Sequence, residues 1–406
     1  MTTTKVDTRI SRRTLLSTAA AAGAASFVGP VGLGARRLLA QAKPIKIGVL
    51  APLSGVYTSL GQNKVNGITM YLEEQGMKVG ERPIQIIRED TEANPQVGLR
   101  KARRLVEDEN VDVLLGVISS AIGYALKEYV ARARKVWVTT GAAADGIFKK
   151  SNNNPYAFRS SLSVWQANYP MGEWMAKQNI KRVFVTGPDY AMGREAIASF
   201  RGGFGSAGPQ VVGEAYAPLN TNDFAPFLAQ IKAANPDCVY ASYAGGDAVR
   251  FVKQFSEFGL RKSIRLAGYG YIAEEDLFDA QGEAVVGVWS ALNYAYGIDT
   301  PANKTFIANY RKRYSAAPTV DSVAGYVGAQ VVYEAIKSMC GQVTSQEALS
   351  KAILAVKFDS PRGPISFDPA TNNVIQNIYI REAVKMDDGI HNRVLAVVEN
   401  VKDPGT

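Results

Sequence analysis

Residues 45–55 decide the fold, because the run IKIGVLAPLSG predicts a short apolar strand at 45–51 followed at once by a loop with proline and glycine. Further apolar, β-branched runs of strand length follow at 84–88, 111–117 and 136–140. Amphipathic stretches of helix length lie between and after them, at 61–78, 95–110 and 121–134. Continuous apolar strands that alternate with helices of this length predict a parallel sheet covered on both faces.

A second series of the same kind begins after residue 160. Its strands are predicted at 182–187, 210–217, 237–243 and 263–268, and its helices at 164–178, 191–206, 223–234 and 246–258. The rest of the chain is predicted to form a strand at 285–290, helices at 302–314, 320–340 and 345–356, and a β-rich tail at 363–400 with a turn at Asp368-Pro369. The fold class is therefore α/β, with two doubly wound parallel-sheet lobes.

The two series are joined without a linker rich in proline, glycine or serine. We therefore predict three short crossovers, near 160, 289 and 375, which together form a hinge beside a cleft. The expected N-terminal lobe comprises 43–160 plus 290–375, and the expected C-terminal lobe comprises 161–289 plus 376–406. Ligands of open parallel sheets bind beyond the carboxyl ends of the strands, so the cleft is the expected site.

The first 42 residues have the pattern of an export signal. Paired arginines occur in SRRTLL at 11–16, a small apolar run covers 15–35, and Ala40-Gln41-Ala42 matches a signal peptidase site. We predict a twin-arginine signal peptide over 1–42 and a periplasmic mature protein. A membrane anchor is the alternative, but the run is rich in alanine and glycine and ends at Arg36-Arg37.

Composition excludes several function classes. With 47% apolar and 20% charged residues, the 406-residue chain is too apolar to be disordered. Removal of residues 1–42 leaves 40 basic and 36 acidic side chains, so the net charge falls from +9 to +4 and gives no case for nucleic-acid binding. Cys238 and Cys340 form no disulfide framework, although they are free to pair with each other.

Cofactor and catalytic motifs are missing from the sequence. There is no phosphate-binding P-loop, no dinucleotide-binding glycine motif after the first strand and no C-x-x-C pair. The single histidine, His391, lies in a polar tail segment and is expected to be an exposed loop residue. We predict no cofactor, no metal and no enzymatic activity.

Small residues follow two strands of the first series. Ser119 and Ser120 come after the strand at 111–117 and open a helix, and Gly141, Ala142 and Ala143 come after the strand at 136–140. Small side chains let a ligand approach the backbone, and the free amides of a helix N-terminus favour an anion. The sequence therefore predicts a carboxylate site here, although one of the two serines is also expected to cap its helix.

Four stretches carry a resemblance to a known family: IGVLAPLSG at 47–55 with Gly61 and Asn66-Gly67 after it, DTE at 90–92, GVISS at 116–120, and DYAMG at 189–193. Together they resemble the type I periplasmic binding proteins, of the branched-chain amino acid type that serves ABC importers. The resemblance covers 43–400 and implies that Ser120, Gly141 and Ala142 hold a ligand carboxylate. Ala143 departs from the pattern, because amino-acid binders tend to have a hydroxyl there.

A second departure concerns the ligand's amino group. Amino-acid binders of this family have an acid after the strand corresponding to 263–268, but this chain has Tyr269-Gly270-Tyr271, and Glu274 and Glu275 lie further on, where a helix start explains them. An unpaired ammonium would cost several kcal/mol to bury, so a ligand without one is favoured. Aromatic side chains are expected around it, namely Tyr57, Trp165, Tyr169, Tyr190, Tyr243, Tyr269 and Tyr271.

The resemblance thus implies a monomeric solute-binding protein that closes around a small carboxylate and delivers it to an ABC permease with separate ATPase subunits. An aromatic acid, such as a benzoate or a phenylpropanoid, is the favoured ligand. A branched-chain amino acid, an amide or urea stays open as an alternative, as does a ligand sensor with the same fold.

Overall fold

A computed structural model describes residues 43–205 and 208–406. The export signal expected over 1–42 lies outside the described residues. Within the described part of the chain, no helix has both the length and the apolar character needed to cross a bilayer.

The first domain is built on a six-stranded sheet. Its strands are β1 (Ile45–Ala51), β2 (Lys78–Val79), β3 (Arg82–Asp90), β4 (Val113–Gly116), β5 (Trp137–Thr139) and β6 (Ala157–Arg159), and its first helices are α1 (Thr58–Glu74), α2 (Pro95–Arg103) and α3 (Ser120–Ala133). The strand order is β2-β3-β1-β4-β5-β6, and all neighbours are parallel except β2 and β3.

Successive side chains of β1 enter two separate cores, because the side chains of a strand alternate between the two faces of its sheet. Ile47 and Val49 pack with Val65 of α1, whereas Leu50 packs with Leu126 of α3. The sheet is therefore covered by helices on both faces, as the continuous apolar run in β1 predicts.

The second domain repeats this arrangement. Its strands are β7 (Arg182–Pro188), β8 (Gln210–Ala217), β9 (Cys238–Ala241), β10 (Arg265–Tyr269) and β11 (Trp289–Leu292), and its helices are α4 (Val164–Met175), α5 (Ala191–Phe204), α6 (Ala225–Ala234), α7 (Gly245–Glu257) and the short α8 (Phe278–Gln281). These strands are parallel in the order β8-β7-β9-β10-β11. Helices α4 and α5 cover one face, and α6 and α7 cover the other.

After β11 the chain returns to the first domain. Helices α9 (Pro301–Tyr314), α10 (Val320–Ser338) and α11 (Gln346–Leu354) contribute side chains to the same core as β1. The chain then forms β12 (Phe358–Ser360), β13 (Gly363–Phe367), β14 (Val374–Met386) and β15 (Gly389–Val401), all within the second sheet. The chain therefore passes between the cores after β6, after β11 and along β14, since Phe367 and Val374 still pack in the first core and Ile378 packs in the second.

The second sheet is mixed, because the predicted β-rich tail adds antiparallel strands to its parallel part. Strand β14 runs antiparallel to β11, β13 and β15. Only Asp387 and Asp388 connect β14 to β15, and a loop of two residues can join only antiparallel strands.

His391 is not the exposed loop residue that the polar tail predicts. It lies in β15 with 5% of its surface exposed, and its ring stacks on Tyr296 with the two centroids 4.0 Å apart. The sequence expectation is wrong because the polar residues form a tight hairpin, which places His391 two residues into a packed strand. Cys238 is buried and Cys340 is exposed, and both are free thiols.

Candidate functional site

A cavity of about 430 Å³ lies between the two domains. On the first-domain side it is lined by the N-terminal ends of α1 and α10, through Tyr57, Ser59, Leu60, Thr319, Val320 and Asp321. On the second-domain side it is lined by the loops after β7, β8, β9 and β10, through Pro188, Tyr190, Met192, Leu219, Asn220, the segment 243–247, Tyr271, Glu274, Asp276 and Leu277. The cavity thus occupies the cleft at the carboxyl ends of the strands.

The loop after β4 leaves the sheet in an unusual backbone conformation. Gly116 has φ +115° with β1 so close that a Cβ there would lie 2.3 Å from the Leu50 carbonyl oxygen, and only glycine fits. Val117 has φ +81°, which is strained for a β-branched residue and is typical of functional loops. The loop ends at Ser119, the N-cap of α3, whose side chain makes no capping hydrogen bond. The serine hydroxyl and the first amides of α3 are therefore left available.

Ser120 connects this loop to the loop after β5. Its Oγ accepts a hydrogen bond of 3.1 Å from the Ala144 amide, so its own O–H remains free to donate. This role differs from the helix-capping alternative, because the partner lies 24 residues further along the chain.

The three small residues after β5 have different hydrogen-bonding states. The amides of Gly141 and Ala142 both donate to Thr139 Oγ1, at 3.4 and 3.1 Å. In this structure they are therefore used by the protein itself and are not directed at a ligand, contrary to the prediction from the sequence. The Ala143 amide has no hydrogen-bond partner within residues 43–205 and 208–406. Serine hydroxyls and the Ala143 amide are thus the open donors beside these strand ends.

A buried ion pair lies between these loops and the cavity. Lys64 of α1, with 1% of its surface exposed, donates to the Thr140 carbonyl at 2.5 Å and pairs with Asp321 Oδ1 at 3.0 Å. A side chain at position 141 would place its Cβ 2.8 Å from Lys64 Nζ, so the ammonium lies directly against Gly141. Burial lowers the pKa of Lys64, and the Asp321 carboxylate opposes that effect.

A second buried ion pair lies on the opposite wall. Glu274 accepts from Arg381 at 2.8 Å through one carboxylate oxygen and from the Val320 amide at 3.1 Å through the other. Glu274 therefore connects the second domain to the start of α10. It precedes a short 3-10 helix, as expected, but its carboxylate binds Arg381 and makes no capping hydrogen bond to that helix.

Two more carboxylates line the cavity. Asp247 is paired with Arg250 of the same helix, one turn away. Asp276 is exposed to the cavity and forms no ion pair in the described part of the chain. The pKa of Asp276 is raised to about 6, first because the cavity walls remove part of its hydration and then because Asp321 and Glu275 are also negative. Acids are therefore present at the site, contrary to the inference drawn from the loop after β10 alone.

The predicted aromatic residues divide into three groups. Tyr57, Tyr190, Tyr243 and Tyr271 line the cavity. Tyr57 and Tyr190 are 40% and 36% exposed, whereas Tyr243 is 1% exposed and its hydroxyl bonds Thr186 at 2.7 Å. Tyr269 is buried behind the cavity wall, with its ring edge-on to Tyr271 and the centroids 5.2 Å apart.

Trp165 and Tyr169 lie elsewhere, on a shallower groove of about 600 Å³ beside Tyr124 and Asp145. Their rings stack with the centroids 4.6 Å apart. Asp145 accepts from the Trp165 amide at 3.1 Å, and loss of hydration still raises its pKa to about 6. The structure thus separates these two residues from the other predicted aromatic side chains.

Comparison with known proteins identifies the family. Residues 44–389 match the family model described as periplasmic binding protein. The chain belongs to that family. Leu/Ile/Val-binding protein homolog 6 of Brucella melitensis is 33% identical over 372 residues, which cover 90% of this chain and 94% of the relative.

Two solved structures resemble this periplasmic binding protein closely. A solute-binding protein of an ABC transporter from Rhodopseudomonas palustris BisB5, in complex with 3,4-dihydroxybenzoic acid, has a TM-score of 0.83 and 35% identity and covers 89% of this chain and 99% of its own. An R. palustris solute-binding protein in complex with 4-hydroxybenzoate has a TM-score of 0.83 and 30% identity, with the same coverage.

These relatives establish the general role. The protein is an ABC transporter substrate-binding protein of the branched-chain amino acid type, with the type I fold. Such proteins bind small molecules, work with a membrane permease and are not enzymes, and the family is periplasmic. Within residues 43–205 and 208–406, no three His, Cys, Asp or Glu side chains are arranged to hold a metal ion.

Sequence reasoning missed the polar residues of the cavity in this binding protein. Lys64 lies on the same helical face as Gly61, Val65 and Ile68, so a charge at an apolar position was an available signal. Asp276 and Asp321 gave no such signal, because each is an acid near a helix start, where acids are ordinary.

Proposed function

We propose that this binding protein captures a small aromatic carboxylate in the cleft. The observation that carries the proposal is a tyrosine-lined cavity of about 430 Å³ that the Lys64–Asp321 ion pair connects to the loop after β5. The small residues of the loops after β4 and β5 lie behind this ion pair and do not themselves line the cavity. The volume is within the range of small-molecule sites. Support comes from the two R. palustris relatives, whose bound ligands are 3,4-dihydroxybenzoic acid and 4-hydroxybenzoate.

In this proposal the first domain holds the carboxylate. Ser119 and Ser120 supply hydroxyls, the Ala143 amide supplies an N–H, and the N-terminal end of α3 adds a favourable dipole. Gly141 and Ala142 leave room for the ligand to approach, and Lys64 behind them adds positive charge. Charge-assisted hydrogen bonds of this kind are the strong ones, so two or three of them account for much of the binding energy.

The second domain supplies most of the aromatic surface in the same proposal. Tyr190 and Tyr271 approach the ring from this side, and Tyr57 approaches it from the first domain. Tyr243 and Tyr269 support them from behind, whereas Trp165 and Tyr169 border the neighbouring groove. Aromatic pairs contribute about 0.5–1.5 kcal/mol beyond the area they bury. Closure of the two domains then gives the permease a form that differs from the empty protein.

A branched-chain amino acid is the second candidate. The observation in its favour is Asp276, an exposed carboxylate on the cavity wall without an ion pair in the described residues, which would balance an α-ammonium. The names of the Brucella relatives also favour it.

The remaining features of the proposal concern architecture and context. We propose lobes of 43–160 with 290–375 and of 161–289 with 376–406, joined by three crossovers near 160, 289 and 375. We further propose export of the folded monomer by the twin-arginine pathway, directed by residues 1–42, and delivery of the ligand to a permease driven by separate ATPase subunits.

Isothermal titration calorimetry tests the ligand class. The panel is benzoate, 4-hydroxybenzoate, a phenylpropanoid acid, leucine and urea, measured against the mature protein. We expect micromolar or tighter binding of an aromatic acid and no heat from leucine. Binding of leucine alone would instead establish the second candidate.

A serine variant tests the carboxylate site. Ser120→Ala removes a hydrogen bond to a charged group, which is worth about 1.5–3 kcal/mol, so the Kd of the bound acid should rise about 10- to 100-fold. Ser256→Ala is the matched control, because Ser256 lies on α7 and does not line the cavity. Equal affinities for the two variants would remove the carboxylate assignment.

A further inference from the structure

Four carboxylates line the cavity, but they are not equivalent. Both oxygens of Glu274 are used by Arg381 and by the Val320 amide. Asp247 is shared between Arg250 and the Asn220 amide. These two carboxylates are already satisfied by the protein and have little capacity to receive a hydrogen bond from a ligand.

Asp321 has one oxygen left over. Its Oδ1 pairs with Lys64 Nζ at 3.0 Å, and its other oxygen has no hydrogen-bond partner among the residues that the structure describes. The residue is 5% exposed and lines the cavity, so the remaining oxygen is an acceptor on the cavity wall. The remaining oxygen belongs to a carboxylate that is paired with Lys64, and a charged acceptor forms a stronger hydrogen bond than a neutral one.

Asp276 approaches Asp321 from the opposite domain. It follows β10 in the second domain, whereas Asp321 begins α10 in the first, and both line the same cavity. The charge of Asp321 is close enough to Asp276 to raise the pKa of the Asp276 carboxyl. Closure without a ligand therefore brings two like charges together, with Lys64 neutralising only one of them.

A ligand that donates hydrogen bonds to Asp276 and Asp321 would offset the repulsion between the two carboxylates. A phenolic O–H has a proton to give and carries no charge of its own at neutral pH, so it suits an acceptor facing it from either wall. A methoxy or chloro group has no donor, and it would cover the two carboxylates without replacing the water that they lose.

We propose that Asp276 and Asp321 form a pair of acceptors across the cleft that selects aromatic acids carrying a phenolic hydroxyl at the end remote from the carboxylate. This inference rests on the proposed function and adds to it the residues that set specificity. Asp321 is the fixed member of the pair, held by Lys64, and Asp276 is the member that arrives when the domains close.

Matched ligands and matched variants test the pair. Calorimetry compares 4-hydroxybenzoate, 4-methoxybenzoate and unsubstituted benzoate on the native protein, on Asp276→Asn and on Asp279→Asn. Asp279 is an exposed acid three residues away that does not line the cavity, so its variant has the same change of charge. Asp321 is left intact, because its loss would strand the buried Lys64. Thermal melts establish that both variants are folded.

The native protein and Asp279→Asn should bind 4-hydroxybenzoate at least 10-fold more tightly than 4-methoxybenzoate, as expected for a hydrogen bond to a charged group. In Asp276→Asn this ratio should fall below about 3, while benzoate binds as before or more tightly. If the native protein binds the hydroxy and methoxy acids equally, or if Asp276→Asn keeps the full ratio, the acceptor pair is overturned and the aromatic-acid function stands. If no aromatic acid binds at all, the proposed function fails and this inference fails with it.

Discussion

Two buried ion pairs lie on opposite walls of the cavity and differ in how completely they are satisfied. In the second domain, Arg381 is fully buried, and its guanidinium donates to Glu274, to Ser290 Oγ and to three backbone carbonyls. In the first domain, Lys64 is also buried, but it pairs with an Asp321 whose second oxygen stays open to the cavity.

This difference separates structural polar groups from groups available to a ligand. A buried network in which each donor and acceptor has a partner fixes the arrangement of the chain. A buried carboxylate with an unused oxygen can still accept a hydrogen bond from a ligand. Position on the cavity wall is therefore weaker evidence for ligand contact than an unsatisfied hydrogen-bonding atom.

The largest expected effect on stability is that of Arg381→Met. This change leaves Glu274 as an unpaired buried charge, and such a loss costs about 3–5 kcal/mol. Urea denaturation should show the free energy of unfolding reduced by that amount. Arg393→Met on the adjacent strand is the control, because Arg393 pairs with Glu382 while 56% exposed and its loss should cost about 1 kcal/mol or less. Equal losses would mean that the Arg381 network has no special structural role.

A smaller loss is expected from Lys64→Met. The Asp321 carboxylate then lacks its partner, but water in the cavity can reach its open oxygen, so we expect a cost of about 1–3 kcal/mol. The same urea denaturation measures it. A loss as large as that of Arg381→Met would contradict the view that Asp321 belongs to the binding cavity.

Two tyrosines extend the comparison to neutral groups. Tyr243→Phe removes the bond to Thr186 in a buried place, so it should lower the free energy of unfolding by about 1 kcal/mol and change ligand Kd less than twofold. Tyr190 is 36% exposed, so Tyr190→Ala should change stability by less than about 0.5 kcal/mol and weaken ligand binding several-fold. Denaturation and calorimetry on both variants measure this, and a reversed pattern would contradict the distinction.

The smallest expected effect is the pH dependence caused by Asp276. Its pKa is about 6 in the folded protein and near 3.9 when unfolded, so the folded state holds more protons between those values and stability falls as pH rises through them. Asp276→Asn should remove this cost.

Cavity water screens the Asp276 charge, so we expect Asp276→Asn to raise Tm by only about 1–2 °C at pH 7.5 relative to Asp279→Asn. The gain should be largely lost near pH 4, where the carboxyl is protonated in the folded state and about half protonated in the unfolded state. Thermal melts at the two pH values measure it, and a gain that persists at pH 4 would rule out titration of Asp276 as the cause.

Much of the fold was predictable from periodicity. Strands β1 and β8 have the predicted bounds, and α3, α4 and α7 begin within one residue of the predicted start. Apolar runs and amphipathic stretches are local signals, and they persist because each buried face belongs to one element. The β-rich tail was predicted but the direction of its strands was not, because strand direction depends on which strand becomes the neighbour, and sequence periodicity contains no such information.

The site was predictable in part. Four of the predicted tyrosines line one cavity, whereas the serines and small residues beside β4 and β5 lie close to each other but do not line it. Trp165 and Tyr169 lie on a different groove, and the polar wall of the cavity was not foreseen. Residues such as Asp276 and Asp321 are 45 positions apart, and neither carries a local pattern that points to the other.

The sequence alone determined the alternating α/β architecture, the paired series of strands and the family, because these depend on local hydrophobic patterns and short motifs. Only the tertiary structure decided which carboxylates are neutralised and which remain open. That outcome depends on hydrogen bonds between distant segments, such as Lys64 to Asp321 and Arg381 to Glu274, and their geometry exists only once the chain is folded.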